Sequence, residues 1–271
     1  MNLQEIKMMD LLRDLKENHH VVGIKTEFEA EGTRLEEALR LKEILTKAGL
    51  DLTIKIGGCE ALKDMYDARS IGVNRIVAPM IETPYALQKF LACAQKAFPS
   101  VEGNKVDFLI NIETKTAVEN FDEMLLLPSI QELTGIVIGR VDLVGSLGLP
   151  RDSVDSEQIA NICKQLLDKA KLVRPLECVI GGGVNLETLP FFDQLATNKL
   201  EKFETRKVIF DAQQLLTATD RTNALAKAVQ FELLWLKNKR HFYEIIYKED
   251  ESRIEFLQSR YDGMVQNTTK K

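Results

Sequence analysis

Short apolar, β-branched runs alternate along the chain with longer stretches whose apolar residues recur every three or four positions. VVGIKTEF (21–28), LTIKIG (52–57), RIVAPMI (75–81), VDFLINIE (106–113), GIVIG (135–139), ECVIGGG (177–183) and KFETRKVIF (202–210) read as strands. TRLEEALRLKEILTKAG, CEALKDMYDARSIG, PYALQKFLACAQKAF, KTAVENFDEMLLL, SEQIANICKQLLDKAKLV and LETLPFFDQLA read as the helices between them. The first of these carries Leu35, Leu39, Leu41 and Leu45 at helical spacing and stops on Gly49, a C-terminal cap. Such alternation predicts a parallel sheet with helical crossovers. The fold expected is α/β, a (β/α)8 TIM-type barrel with extended C-terminal helices. Seven strands are legible and a closed barrel needs eight, so an irregular barrel or an open doubly wound sheet stays open as an alternative; no G-x-G-x-x-G follows the first strand.

The barrel and an N-terminal helix are expected over residues 1–218, with a helical extension over 219–271. Thr219 to about Asp262 reads as one or two long helices, with Phe231, Leu234, Trp235, Phe242, Ile245 and Ile246 forming an apolar stripe. A stripe of this kind is core or interface, and its reach past the last strand predicts helix exchange between subunits and a homo-oligomer.

Composition then removes several function classes. The 271 residues are 45% hydrophobic and 28% charged, which suits a globular chain with a full core. A net charge of −5 with no basic block speaks against nucleic acid as a partner. MNLQEIKMMDLLRDLKENHH is amphipathic and mixed in charge, with no continuous apolar centre, so neither a secretory signal nor a membrane span is expected and the cytoplasm is the expected compartment. Cys59, Cys93, Cys163 and Cys178 lie far apart, without C-x-x-C or nearby His, which argues against a zinc site or disulfide framework.

The charges cluster where a parallel barrel puts its chemistry, at the C-terminal ends of strands and in the loops after them. With a side-chain period of two, Lys25 and Glu27 share a face, as do Thr53 and Lys55, Asn111 and Glu113, and Glu204 and Arg206. Asp142 follows the fifth strand directly, in GIVIGRVDLVGSLG. A carboxylate there is costly unless paired, so Asp142 is either half of an ion pair or a cation ligand. Glu113 and Asp142 together suit Mg2+ or Mn2+, which prefer oxygen ligands and leave positions for water and substrate. Such an ion can polarise a substrate carbonyl. Arg140 and Arg206 are candidate contacts for an anionic substrate or, equally, buried structural pairs. The glycines of VIGGGVNLET offer backbone N–H groups to an anion, or simply a tight turn, with Asn185 as a cap for the next helix.

At this point a resemblance enters. FLINIETKTAVENFDEML, followed by LTGIVIGRVDLVGSLGL, resembles the paired metal motifs of the 2-oxo acid aldolase and citrate lyase beta-subunit family. GVNRIVAPMIETPYALQKFLACA resembles its third signature, and the likeness runs from about residue 51 to 150. It implies a phosphoenolpyruvate/pyruvate-type barrel and a divalent-metal-dependent carbon–carbon lyase or aldolase that acts on a 2-oxo acid or acyl-CoA thioester through a metal-stabilised enolate. Glu113 and Asp142 would be the metal ligands. Lys55 stands where the family usually has an arginine for the substrate carboxylate and oxo group, and Asn111 where the aldolase branch often has glutamine. The histidine base of that branch has no counterpart in KTEFEAEGT. His19 and His20 precede the first strand, at the opposite barrel end, and are read as surface residues. Glu27 is the leading replacement base, with Glu29, Glu31 or a metal-bound water behind it. Two other readings remain: a Schiff-base aldolase using Lys25 or Lys55, and an oxo-acid-binding protein without turnover.

Overall fold

The computed structural model describes residues 1–99, 103, 105–195 and 199–268. Eight strands close in sequence order into one barrel. They are β1 (Val21–Glu27), β2 (Asp51–Lys55), β3 (Arg75–Ala78), β4 (Asp107–Ile112), β5 (Gly135–Gly139), β6 (Glu177–Gly181), β7 (Lys202–Glu204) and β8 (Val208–Asp211). Around and after them lie α1 (Leu3–Asn18), α2 (Leu35–Ala48), α3 (Leu62–Ile71), α4 (Pro84–Ala97), α5 (Lys115–Leu125), α6 (Arg140–Ser146), α7 (Glu157–Val173), α8 (Leu189–Leu195), α9 (Ala212–Thr217) and α10 (Arg221–Thr268). The TIM-type barrel expected from the alternation is present. No described helix is long and apolar enough to cross a membrane.

The eighth strand was concealed inside the seventh. KFETRKVIF is not one strand: the chain turns at Thr205–Lys207 and comes back as β8, antiparallel to both β7 and β1, while all other neighbours are parallel. Three residues cannot make a parallel crossover, so a hairpin is the available solution. Thr205 accepts from Val208 N through Oγ1 (3.0 Å) and donates its own N–H to Val208 O (2.9 Å). Arg206 is therefore a turn residue at the C-terminal mouth and not a strand residue beside Glu204.

Strand parity sorts the core. Ile76, Ile110, Ile136, Ile138 and Ile180 point outward to the helices, and Val77, Leu109, Val137 and Val179 form a separate cluster inside the barrel. In α2 the barrel-facing residues are Ala38, Leu41, Ile44, Leu45 and Ala48, whereas Leu35 and Leu39 are exposed. Gly49 caps α2 in the left-handed region (φ 70°), as its position predicts.

The N-terminal mouth is plugged by ions. Arg75 binds Asp107 (3.1 Å) and Glu177 (2.8 Å), and Lys202 also reaches Glu177 (2.8 Å). Burial alone would raise the Glu177 carboxyl, but Arg75 and Lys202 outweigh it and hold the group below its ordinary 4.5. An acid with a depressed folded-state pKa stabilises above its unfolded value and loses that contribution as pH falls through the folded one. Glu177→Gln is expected to cost about 1–3 kcal/mol at pH 7, and the difference from the native protein should shrink as urea melts are moved from pH 5 towards pH 3. A difference that stays constant with pH would show that Glu177 does not act through its charge.

His19 is not the surface residue its position predicted. It is buried, with Nδ1 2.9 Å from Asp220 and Nε2 2.7 Å from Lys227 Nζ, and it ties the end of α1 to the start of α10. Asn2, before α1, meets Asn238 of α10 (2.9 Å), so the two helices run antiparallel. Beyond Asn238, α10 continues as one helix to Thr268, making 48 residues in all.

Candidate active site at the C-terminal mouth

Lys25 and Glu27 stand on the inward face of β1, and the parallel register sets Glu27 beside Lys55 at the end of β2. Lys25 Nζ pairs with Glu204 of β7 and lies 3.4 Å from Glu27. Lys55 Nζ lies 2.9 Å from Glu29 and 3.6 Å from Glu113. Burial would depress both ammonium groups, but Glu204 and Glu27 around Lys25, and Glu113 and Glu29 around Lys55, reverse this and raise both. Amines held as ammonium ions are poorly placed to form a Schiff base, because only the free base attacks a carbonyl.

Glu113 follows β4 directly and precedes α5, whose N-terminus is capped by Thr114 Oγ1 accepting from Ala117 N (3.1 Å). Its carboxylate is 1% exposed and held on two sides: Oε1 accepts from Met80 N (3.0 Å), and Oε2 accepts from Asn111 Nδ2 (2.6 Å). Met80 adopts φ +51°, a conformation that costs a side-chain-bearing residue on the order of 1 kcal/mol. That strain aims its N–H at Glu113. On the other side, a Cβ at Gly139 would lie 2.6 Å from Glu113 Oε2, so only glycine leaves room for this carboxylate at the end of β5. Burial raises the Glu113 carboxyl, opposed chiefly by Lys55 and assisted by the charge of Asp142. Asp142 itself is exposed on the first turn of α6.

Arg140 is turned away from this group. Fully buried, it donates from Nε to Gly181 O (3.2 Å), from Nη2 to Gly182 O (2.7 Å), and from Nη1 to Val154 O (3.3 Å) and to Asp155. Its guanidinium stacks 4.5 Å from the Phe191 ring centroid. Asp155 also accepts from Thr188 (3.2 Å), and Asn185 caps the following turn through Glu187 N and Thr188 N, as expected. Arg140 thus braces the glycine turn after β6, in the buried pairing that was the second of its two expected roles. Gly182 and Gly183 have φ of +85° and +70°. A Cβ on Gly182 would come within 2.9 Å of Arg140 N, so this turn packs directly on the start of α6.

Arg206 is largely exposed at the rim, 3.2 Å from Glu31 and 3.9 Å from Glu27. Lys207 is buried: Nζ reaches Glu31 (2.6 Å) and its N–H donates to Glu232 of α10 (3.1 Å). Burial raises Glu31, but Lys207, with Thr26 and Arg206, outweighs it and lowers the net value, which makes Glu31 a poor base. Neither Met80 nor Gly139 was legible as a site residue, since a left-handed φ and a close approach leave no periodic signal.

The mouth therefore gathers Lys25, Glu27, Glu29, Lys55, Asn111, Glu113 and Glu204, with Asp142 and Arg206 at its edge. A family model for HpcH/HpaI aldolase/citrate lyase matches residues 33–181, more than half of the chain. The chain belongs to the HpcH/HpaI aldolase/citrate lyase family. Among solved structures, an HpcH/HpaI aldolase/citrate lyase family protein from Burkholderia cenocepacia is similar over 82% of this chain and 98% of its own, at 13% identity and a TM-score of 0.55. Citrate synthase SbnG is similar over 82% of this chain and 89% of its own, at 14% identity and 0.54. A variant of SbnG covers 73% and 81%, at 13% identity and 0.55. At such identities the likeness is one of fold. No curated protein matches the chain. The family is one of lyases and aldolases, and the segment that matches its model includes Glu113, Asp142 and Lys55.

Proposed function

We propose that the protein is a divalent-metal-dependent carbon–carbon lyase acting on a 2-oxo acid or acyl-CoA thioester. The observation that carries this is the seat built for Glu113: a strained Met80 N–H, the Asn111 amide and a glycine cleft all serve one buried carboxylate within electrostatic reach of Asp142. A structural ion pair needs no such support. The donor set also fits a hard cation. Among the described residues no cluster of three or more His, Cys, Asp or Glu side chains forms a preformed cage. Two carboxylates suit Mg2+ or Mn2+, which keep waters and take further oxygens from substrate. Asn111 Oδ1 is buried without a hydrogen-bond partner in the same corner. Six carboxylates (Glu27, Glu29, Glu31, Glu113, Asp142 and Glu204) stand against four cations (Lys25, Lys55, Arg206 and Lys207). That surplus would repel an anionic substrate unless a cation joined it.

In this reading Glu113 and Asp142 hold the metal. When bound, it supplies Lewis-acid polarisation of the substrate carbonyl. Lys55 offers a compact positive charge to the substrate carboxylate, without the bidentate grip of an arginine. Asn111 fixes Glu113 and presents its free carbonyl oxygen to the site. Glu27, within reach of Lys25 and Arg206, takes the proton that must leave a hydroxyl or a carbon next to the carbonyl for the bond to break or form. Arg206 screens the rim.

Calorimetry of Mg2+ or Mn2+ with pyruvate or oxalate tests the reading. The oxo acid is expected to bind only with metal, and Asp142→Ala to weaken the ternary complex at least tenfold. Oxo-acid binding that ignores EDTA would discard the metal; metal-dependent binding with no turnover of any 2-oxo acid or acyl-CoA substrate would make the protein a binder.

A further inference from the structure

The C-terminal helix carries two separate faces. Ala224, Ala228, Phe231, Trp235 and Asn238 are buried against the protein's own body. The opposite face follows a seven-residue repeat: Val229, Leu233, Leu236, Arg240, Tyr243, Tyr247, Asp250, Ile254, Leu257 and Tyr261 succeed one another at alternating steps of four and three, with Tyr243 at its edge also touching α2 through Glu37 and Arg34. Most of its apolar members are at least half exposed, for example Leu236 at 58% and Ile254 at 65%. Such spacing is the seam of a coiled coil, in which two helices interlock through alternate core positions. Past Asn238 the helix runs on for about 45 Å at 1.5 Å per residue, its first turn still held to α2 by Lys239 and Tyr243 on Glu37.

Two charged residues interrupt the seam, and they identify the occupant. In a parallel pair of identical helices Arg240 would face Arg240 and Asp250 would face Asp250, which buries like charges together. In an antiparallel pair the two kinds of core position alternate across the interface. One register then sets Arg240 opposite Asp250 of the second copy, twice, around a twofold axis near Ile245. The same register sets Leu233 opposite Leu257, Leu236 opposite Ile254, Val229 opposite Tyr261 and Tyr243 opposite Tyr247. Sliding by one heptad in either direction places Asp250 against Leu233 or Arg240 against Leu257, an uncompensated charge in an apolar layer.

We infer that α10 pairs with α10 of a second copy of this chain as an antiparallel coiled coil whose register is set by reciprocal Arg240–Asp250 layers. The distal half of each helix then covers Val229, Leu233 and Leu236 of the other. This is an isologous contact, closed by its own twofold symmetry. Nothing in it depends on the lyase reading, so either can fail alone.

The test uses the full chain. In light scattering, the native protein is expected as a dimer or an even multiple at micromolar concentration. Asp250→Arg and Arg240→Asp, each alone, should lose the α10 contact and run at half the native mass. An equimolar mixture of the two should recover the native mass as a heteromer, because unlike charges face each other again. Engineered cysteines report the register whatever the final stoichiometry. Leu233→Cys mixed with Leu257→Cys should give a mixed disulfide under mild oxidation, and neither variant should cross-link to itself through that cysteine, its copies being separated by about 36 Å along the pair. A monomeric native chain, or single variants that keep the native mass, or self-cross-linking of Leu233→Cys, would each overturn the inference.

Discussion

Glu113→Gln should reduce turnover by a factor of a hundred or more while leaving the protein folded at neutral pH. The substitution keeps volume and shape. What it removes is a negative charge that burial makes costly, which is why the Glu113 carboxyl sits above its usual range. The amide cannot reproduce the contacts, because Met80 N and Asn111 Nδ2 both donate, and a glutamine has one acceptor oxygen and one donor nitrogen for the two of them. Residues that merely support metal ligands change affinity by about 10- to 100-fold when removed, so loss of a ligand should exceed that range. The check is a pairing of thermal melts with metal-dependent oxo-acid binding and turnover. A residue kept for stability gives lower melting with activity intact, and that result would refute the assignment. Lys55 should then keep Glu29 as its ion-pair partner, with Glu27 beside it, since the Glu113 charge is gone.

The opposite pattern is expected at Arg140. Arg140→Met should destabilise by about 3–5 kcal/mol, the range for removing one member of a buried, hydrogen-bonded charge pair, or roughly 10 °C in melting temperature. It would strand the Asp155 carboxylate and three carbonyl acceptors, and unseat a guanidinium packed on Phe191. Arg140→Lys should recover less than half of the loss, since an ammonium cannot reach the carbonyls of Gly181, Gly182 and Val154 at once. The folded variant should keep its KM. An unchanged melting temperature with a raised KM would return Arg140 to the substrate side of the site.

These two residues show what the chain disclosed unaided. Period-two and period-3.6 patterns conveyed the barrel and seven of its strand positions, because burial on alternate faces is written directly into apolar spacing. They also placed Lys25, Glu27, Lys55, Asn111 and Glu113 together, since charge at a barrel strand's end has few other locations. Arg140 defeated the same logic: it stands beside Asp142 in sequence, but the first turn of α6 sends adjacent side chains in different directions. The hairpin at Thr205–Lys207 was hidden for a related reason. Its residues are charged and β-compatible, with no glycine, proline or asparagine to mark a turn. The burial of His19 depended on Asp220 and Lys227, some two hundred residues away, and nothing local announces a contact of that kind.

The antiparallel last strand bears on how the chain comes to be made. Val21 of the first strand finds its partner in Phe210 of the last. During synthesis the nascent sheet therefore carries an open edge along its first strand until nearly four-fifths of the chain has left the ribosome. Exposed edges recruit other strands, and slow, long-range closure prolongs the hazard. A chain arrested or truncated before residue 208 should depend on chaperones and aggregate without them, whereas loss of the distal part of α10 should leave a soluble, closed barrel.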